Sequence, residues 1–130
     1  MRYQFKIDAV PASRPRVTRW STFYPKTYTQ FREHMGIICD SMEFDKVPEN
    51  VPIKVTTLIY LPMPKSWSKK KKELLNNQWK MNNSDNDNYE KAIWDSLNGK
   101  AWHDDCQIVW NETKVRYAYD GEVIVIVERV

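Results

Sequence analysis

The chain has 130 residues, of which 42% are hydrophobic and 28% are charged, with a formal net charge of +3. This length fits one domain covering residues 1–130, and the charge excess is too small to indicate a polyanion partner by itself. Two isolated cysteines and a start that alternates polar with apolar residues exclude a disulfide scaffold, a signal peptide and a membrane span, so we expect a soluble cytoplasmic protein.

The first half of the chain predicts a strand, a helix and a second strand. Apolar residues alternate with polar ones over 3–9, as in a half-buried strand. Prolines then open a basic loop, ASRPRVTRW. Helical spacing of apolar residues predicts a helix over 28–42, and a proline-containing connection over 45–52 leads into the β-branched segment 51–60, which predicts a strand.

The second half predicts two helices and two strands. Ser68 is placed to cap a short helix through the lysine run to about Gln78. A second helix is predicted from about Tyr89 to the stop at Asn98-Gly99. The last residues predict two strands joined by a tight turn at Asp120-Gly121. We therefore expect an α+β fold in which a mixed β-sheet packs with two main helices.

The stretch SDNDNYEK (84–91) has two readings. Asp87 and Glu90 have the spacing of a capping box at the start of the second main helix, and for this stretch alone capping is the better interpretation. It leaves Asp85 unexplained. In an extended segment Asp85 and Asp87 point the same way, and Lys91 lies one helical turn beyond Asp87.

A second acidic pair, Asp104 and Asp105, stands in WHDDCQ after the helix stop. A solvated turn is the default interpretation of an isolated pair. A short chain return would instead bring it beside the helix start, where four carboxylates would favour a hard divalent cation such as Mg²⁺ and phosphodiester hydrolysis. Zinc is disfavoured for lack of Cys and His ligands. His103 is more simply an exposed loop residue than a ligand or proton shuttle.

The order of these residues resembles the RusA family of Holliday junction resolvases. Its signature is D-x-D-N-x-x-K, a helix with an Asp before Leu, then D-D-x-Q and an apolar pair, and DNDNYEKAIWDSLNGKAWHDDCQIV follows it. RPRVTR with YPKTYTQF is similar to the family's N-terminal basic loop, and PKSWSKKKK to the basic lead-in of phage-type members. Asn83-Ser84 replaces a Lys-Pro common in the family, which loosens the approach to Asp85.

The resemblance implies a homodimeric, Mg²⁺-dependent endonuclease, with Mn²⁺ able to substitute, that nicks four-way and other branched DNA in a bacterial or phage-infected cell. No membrane and no small-molecule cofactor are implied. The family's essential acids fall on Asp85, Asp87 and Asp105 and its essential lysine on Lys91. Asp104 matches a secondary metal ligand, and Asn88 an orienting residue.

Two basic tracts are candidates for DNA contacts. The first tract lies beside Trp20 and the second beside Trp67; their members are Arg14, Arg16 and Arg19, and Lys65, Lys69, Lys70, Lys71 and Lys72. Such residues give salt-dependent, largely sequence-independent affinity, although a lysine run is more often a solvated helix face. Either Trp can stack on bases at a branch point, while packing is the simpler role for any single Trp.

Two other function classes stay open. The chain can be a branched-DNA-binding protein without catalysis, in which the acids serve only as caps and turns. It can also be a small interaction protein whose charged tracts keep it in solution. Nicking of a four-way junction separates the first alternative from an endonuclease, and retardation of branched DNA at low salt separates the second.

Overall fold

The computed structural model describes residues 1–81 and 86–130 as one α+β domain. These residues form a four-stranded sheet that carries the core and a two-stranded ribbon in the basic loop. In chain order the elements are β1 (Arg2–Phe5), β2 (Arg16–Val17), β3 (Thr22–Phe23), α1 (Lys26–Asp40), β4 (Ile53–Pro62), α2 (Lys69–Leu75), α3 (Asn86–Leu97), a 3₁₀ turn (Asp105–Gln107), β5 (Ile108–Ala118) and β6 (Glu122–Arg129).

The predicted fold class is confirmed. The main sheet is mixed, with order β1-β6-β4-β5, because β4 runs parallel to β5 and antiparallel to β6. Strand β4 alternates buried and half-buried residues along most of its length, so one face of the sheet is buried more deeply than the other. One continuous core joins that face to α1 and α3 through Phe31, Met35, Ile93 and Leu97.

The two final strands do not form the hairpin that the Asp120-Gly121 turn suggested. Strands β5 and β6 both pair with β4, which lies between them. Their buried residues fit this arrangement, because β6 is apolar enough to sit inside the sheet, whereas four consecutive residues of β5, 109–112, are exposed. Strand β5 therefore forms one edge of the sheet.

The predicted helices all occur, with shifted ends. Ser68 caps α2, as expected, by accepting a hydrogen bond from Lys71 N at 3.2 Å. The helix ends at Leu75, three residues earlier than predicted. Asn77 follows in the left-handed region, with a φ of 65°. Gly99 takes φ of 80° just after α3, which confirms the predicted stop. Among the described residues, no helix has the length and apolarity needed to cross a lipid bilayer.

Candidate functional site

Helix α3 carries most of the predicted site residues. It begins at Asn86, so Asp87 lies in its first turn, where a carboxylate interacts favourably with the helix dipole. Asn88 and Lys91 are exposed on the same helix. Asp85, the first predicted metal ligand, lies outside the described residues.

The capping box predicted for Asp87 and Glu90 is wrong. Asp87 is inside the helix, and Glu90 is only 6% exposed. Its Oε1 accepts hydrogen bonds from Asn111 Nδ2 at 3.1 Å and from the Thr113 hydroxyl, both on β5. Glu90 therefore fastens α3 to the edge strand instead of closing its own first turn.

A pocket of about 360 Å³ joins α3 to α1 and to the basic loop. We call it the α1–α3 pocket, and its lining residues are Ala12, Ser13, Arg14, Pro15, Tyr24, Tyr28, Arg32, Asn88, Lys91 and Asp95. Three cations face this space and one carboxylate accompanies them, so the pocket has an excess of positive charge. It brings together Arg14, Asn88 and Lys91, which the sequence placed in three separate roles.

Backbone and side-chain contacts hold the walls of this pocket in place. Ala12 N donates to Asn88 O at 2.8 Å, which fixes the basic loop against the first turns of α3. Lys91 Nζ lies 3.9 Å from Asp95 Oδ2, one turn along the helix. This distance and the exposure of Lys91 describe a weak surface ion pair, so the ammonium group remains available to another anion.

Arg32 was missed by sequence reasoning. It lies on α1, and its Nη1 donates to the Tyr28 hydroxyl at 3.4 Å while the guanidinium stands 5.9 Å from the Tyr28 ring. The signal was present in the spacing, because residues four apart share a helix face. Tyr28 was read only as a core position, and the predicted helix started at that residue, so Arg32 was not connected to the basic loop.

Asn98 holds the second acidic segment against the end of α3. Its Oδ1 accepts from Trp102 Nε1 at 2.6 Å, and its Nδ2 donates to Asp105 Oδ2 at 3.3 Å. Trp102 is fully buried, so the orientation of the Asn98 amide is fixed from the core. The indole thereby determines which side of Asn98 faces Asp105.

The sequence predicted that a short chain return brings the acidic pair beside the start of α3. The contact with Asn98 instead places Asp105 near the carboxyl end of that helix. Asp87 and Leu97 are ten residues apart on the helix, which corresponds to about 15 Å of axial rise. Oxygen ligands on one Mg²⁺ each lie about 2 Å from the ion. Residues 1–81 and 86–130 contain no group of three His, Cys, Asp or Glu side chains that could hold a metal ion.

Asp104 has a structural role in the turn that follows. Its Oδ2 accepts from Cys106 N at 3.3 Å, and it caps the 3₁₀ turn. Hydrogen bonds from the Cys106 side chain and backbone lower the pKa of the Asp104 carboxyl. His103 is exposed, with Nε2 3.2 Å from Glu49 Oε2, which matches the simpler interpretation of this residue.

The Gln107 side chain holds this turn in place through hydrogen bonds to the backbone. Its Oε1 accepts from His103 N at 2.9 Å and Asp104 N at 3.0 Å, while its Nε2 donates to Pro48 O and Val51 O. The side chain is 6% exposed and uses both ends of its amide. The Gln of the D-D-x-Q pattern thus shapes the acidic turn.

The two basic tracts lie on separate elements. In the first, Arg14 lines the α1–α3 pocket, whereas Arg16 and Arg19 are exposed on the β2–β3 ribbon. Trp20, beside them, is 85% exposed. The second tract surrounds α2, which buries none of its residues; Lys65, Lys69, Lys70 and Lys71 are exposed and Lys72 is half-buried.

The chain is similar to a known protein family and to a known protein. The family model of endodeoxyribonuclease RusA matches residues 6–128. The uncharacterized protein YqaN of Bacillus subtilis (strain 168) is 31% identical over 116 residues, which cover 82% of this chain and 77% of that protein. The family match begins just after β1 and ends one residue before the end of β6, and it includes the α1–α3 pocket, α3 and the acidic turn. This chain therefore belongs to the RusA family of endodeoxyribonucleases.

Proposed function

We propose that this protein is a homodimeric, Mg²⁺-dependent endodeoxyribonuclease that resolves Holliday junctions and related branched DNA by paired nicking, in DNA recombination, repair or phage DNA processing. The observation that carries the proposal is the α1–α3 pocket. In it Lys91 shares one space with Arg14 and Arg32, beside the helix whose first turn holds Asp87. A phosphate group is the anion that fits three such cations in a member of a DNA-cleaving family.

The pocket residues have distinct roles in this proposal. Arg14 and Arg32 bind oxygens of a phosphate through their guanidinium groups and orient the DNA strand. Lys91 stabilises the negative charge that develops on the phosphoryl oxygens during cleavage. Asn88 orients this arrangement from the helix, because its own carbonyl already holds Ala12 of the basic loop. Asp95 keeps the Lys91 ammonium near the pocket when DNA is absent.

Mg²⁺ is the proposed cofactor because the predicted donors are carboxylates, and Mn²⁺ is expected to substitute. The proposed ligands are Asp85, Asp87 and Asp105, with Asp104 secondary. Within the described residues of one chain, Asp87 lies in the first turn of α3, whereas Asp105 is hydrogen-bonded to Asn98 just after the carboxyl end of that helix.

The proposed homodimer offers a way to complete the acidic set. A two-fold axis that places two α3 helices antiparallel would bring the amino end of one helix next to the carboxyl end of the other. Asp87 would then face the partner subunit's Asp105. Two such sites, related by the same axis, fit a substrate in which two strands are cut symmetrically.

Nicking of a labelled four-way junction tests the proposal. We expect symmetric paired nicks with Mg²⁺ or Mn²⁺, none with EDTA, and little cleavage of a linear duplex that has the same sequence. Binding without nicking in either metal would overturn the enzyme assignment and favour a non-catalytic branched-DNA-binding protein. Failure to retard branched DNA even at low salt would leave only the small interaction protein.

A further inference from the structure

The chain between α2 and α3 forms an unpredicted addition to the sheet. Residues 77–81, here called the edge segment, run antiparallel along the C-terminal half of β5. Asn77 N donates to Tyr117 O at 2.9 Å, Tyr117 N to Gln78 O at 3.0 Å and Lys80 N to Val115 O at 3.0 Å. The edge segment therefore has a fixed backbone although it follows a short helix.

This fixed backbone presents an exposed indole. Trp79 is 59% exposed, and it pairs with Arg116 across an antiparallel bridge. The Arg116 guanidinium lies 3.8 Å from the centre of the Trp79 ring, and its Nη1 donates to Asn77 O at 2.8 Å. An exposed Trp that is held by both its backbone and a stacked cation loses little entropy when it binds a ligand.

A second stack lies on the other face of the edge strand. Successive strand residues point to opposite faces, so Tyr117 faces away from Trp79. Its ring centre lies 5.4 Å from that of Trp67, and Lys71 Nζ stands 4.1 Å from the Trp67 ring centre. These contacts attach α2 and its lysines to β5. Trp67 is half-buried and packs, whereas Trp79 is the ring that remains open.

The charge around the edge segment selects the class of ligand. Residues 65–81 contain six lysines and a single acidic residue, Glu73. Arg116 and the exposed Lys114 of β5 lie on the same strand face as Trp79, whereas the α2 lysines are attached to the opposite face, next to Tyr117. A cationic surface with an accessible aromatic ring matches single-stranded nucleic acid, whose phosphates contact the cations and whose unpaired bases stack on the ring.

We propose that Trp79, backed by Arg116, is a stacking site for an unpaired base of branched DNA. This inference rests on the proposed function, because unpaired bases are available at a branch point. Glu90 contacts Asn111 and Thr113, which share a strand face with Tyr117, so α3 and Trp79 lie on opposite faces of β5. Trp79 therefore acts in binding and positioning, at a distance from the cleaved phosphate.

Trp79→Leu and Trp79→Phe form the test pair, because leucine keeps apolar bulk against Arg116 and phenylalanine keeps an aromatic face. Trp110→Leu is the matched control, since Trp110 is also exposed, also lies near a lysine (Lys54 Nζ, 4.1 Å) and stands at the opposite end of β5. The probe is a four-way junction with 2-aminopurine at the branch, and the fold is checked by circular dichroism.

Trp79→Leu is expected to weaken junction binding by about five- to a hundredfold, the loss given by one base–aromatic stack. It should also relieve quenching of the 2-aminopurine, while Trp79→Phe and Trp110→Leu stay within about threefold of the parent. At saturating DNA the single-turnover nicking rate should be unchanged. Equal affinity of Trp79→Leu and parent, or equal losses in Trp79→Leu and Trp79→Phe, would overturn the stacking site. A parent that neither binds nor nicks the junction would instead refute the proposed function.

Discussion

Asn98 and Asp105 are joined by a hydrogen bond of 3.3 Å that fixes the acidic turn at the carboxyl end of α3. Asp87 stands in the first turn of the same helix. One helix thus separates two acids that the RusA family pattern assigns to one site. If a site needs both acids, they can come from two different subunits of a dimer. Mixing an Asp87 variant with an Asp105 variant tests this arrangement.

Subunit mixing tests whether the proposed dimer shares its acids. Asp87→Asn and Asp105→Asn are each expected to lower junction nicking by about a hundredfold or more while binding persists. Loss of the first-turn charge costs Asp87→Asn about 0.3–1 kcal/mol of helix stability. If a site combines Asp87 with the partner subunit's Asp105, a mixed dimer has one intact site. We expect the mixture to regain single nicks.

The control is a mixture of Asp87→Asn with Asp87→Asn carrying a different tag, which should remain inactive. Refolding or prolonged incubation allows subunits to exchange, and the tags quantify the mixed dimer. If each subunit supplied its whole site, the mixture of Asp87→Asn with Asp105→Asn would also remain inactive. Restored nicking is therefore specific to sharing across the dimer.

Lys91→Ala is expected to lose activity without losing its fold. The Lys91 side chain is 68% exposed, and its Nζ lies 3.9 Å from Asp95 Oδ2. Removing the ammonium group should therefore change the free energy of unfolding by no more than about 0.5 kcal/mol. Nicking at saturating DNA should fall by about 10²–10³-fold. Lys46→Ala, an exposed lysine outside the pocket, is the matched control. A small effect on nicking would remove Lys91 from the reaction.

Replacing Lys69, Lys70, Lys71 and Lys72 with alanine is expected to weaken junction binding and to flatten its salt dependence. Each lost phosphate contact should reduce the slope of log K against log salt by about 0.9. Alanine favours helix and the Ser68 cap remains, so α2 should persist in the far-ultraviolet spectrum. The slope is measured from binding isotherms at several salt concentrations. An unchanged slope would exclude this tract from the DNA surface.

Local sequence patterns predicted much of this fold, because they report local physics. The alternation in β1 and β4, the Ser68 cap and the Gly99 stop each depend on residues close in the chain. Insertion of β4 between β5 and β6 was not predictable in this way. The turn at Asp120-Gly121 is compatible with a hairpin, and only the packing of the whole sheet decides which strands pair.

The candidate site was predictable in composition and less so in geometry. The motif spacing identified Lys91 and Asn88, and the basic loop supplied Arg14; all three line one pocket. The roles of Arg32 and Glu90 could not be predicted without knowing how α1 and α3 pack. Arg32 lies on α1 and lines the pocket together with residues of α3, and Glu90 is buried against β5. Asn98 controls where Asp105 lies, and its role depends on Trp102, whose burial is set by the core.

Glu90 is expected to be a major contributor to the attachment of α3. Glu90→Ala leaves Asn111 Nδ2 and the Thr113 hydroxyl without their acceptor, which should lower the free energy of unfolding by about 1–3 kcal/mol. Glu90→Gln retains an acceptor oxygen and should lose less. Glu33→Ala, on the exposed side of α1, is the control, and urea unfolding is the measurement. Equal stability of Glu90→Ala and Glu33→Ala would contradict the buried role.

The capping carboxylate of Asp104 should make stability depend on pH. Hydrogen bonds from the Cys106 side chain and backbone lower its pKa in the folded state. A lowered pKa means that the folded state binds this proton less readily than the unfolded state. Its contribution is therefore fully present above the ordinary aspartate pKa and is lost as pH falls through the lowered folded value.

The stability difference between the parent and Asp104→Asn should thus shrink on acidification through that window. Urea unfolding of both proteins at a series of pH values measures it, and the difference cancels the titration of the other carboxylates. Cys106→Ala supplies an independent check, because loss of the thiol donor should bring the Asp104 pKa closer to its ordinary value in an NMR titration. A pH-independent difference, together with an unshifted Asp104 titration, would show that the cap does not hold the charged carboxylate.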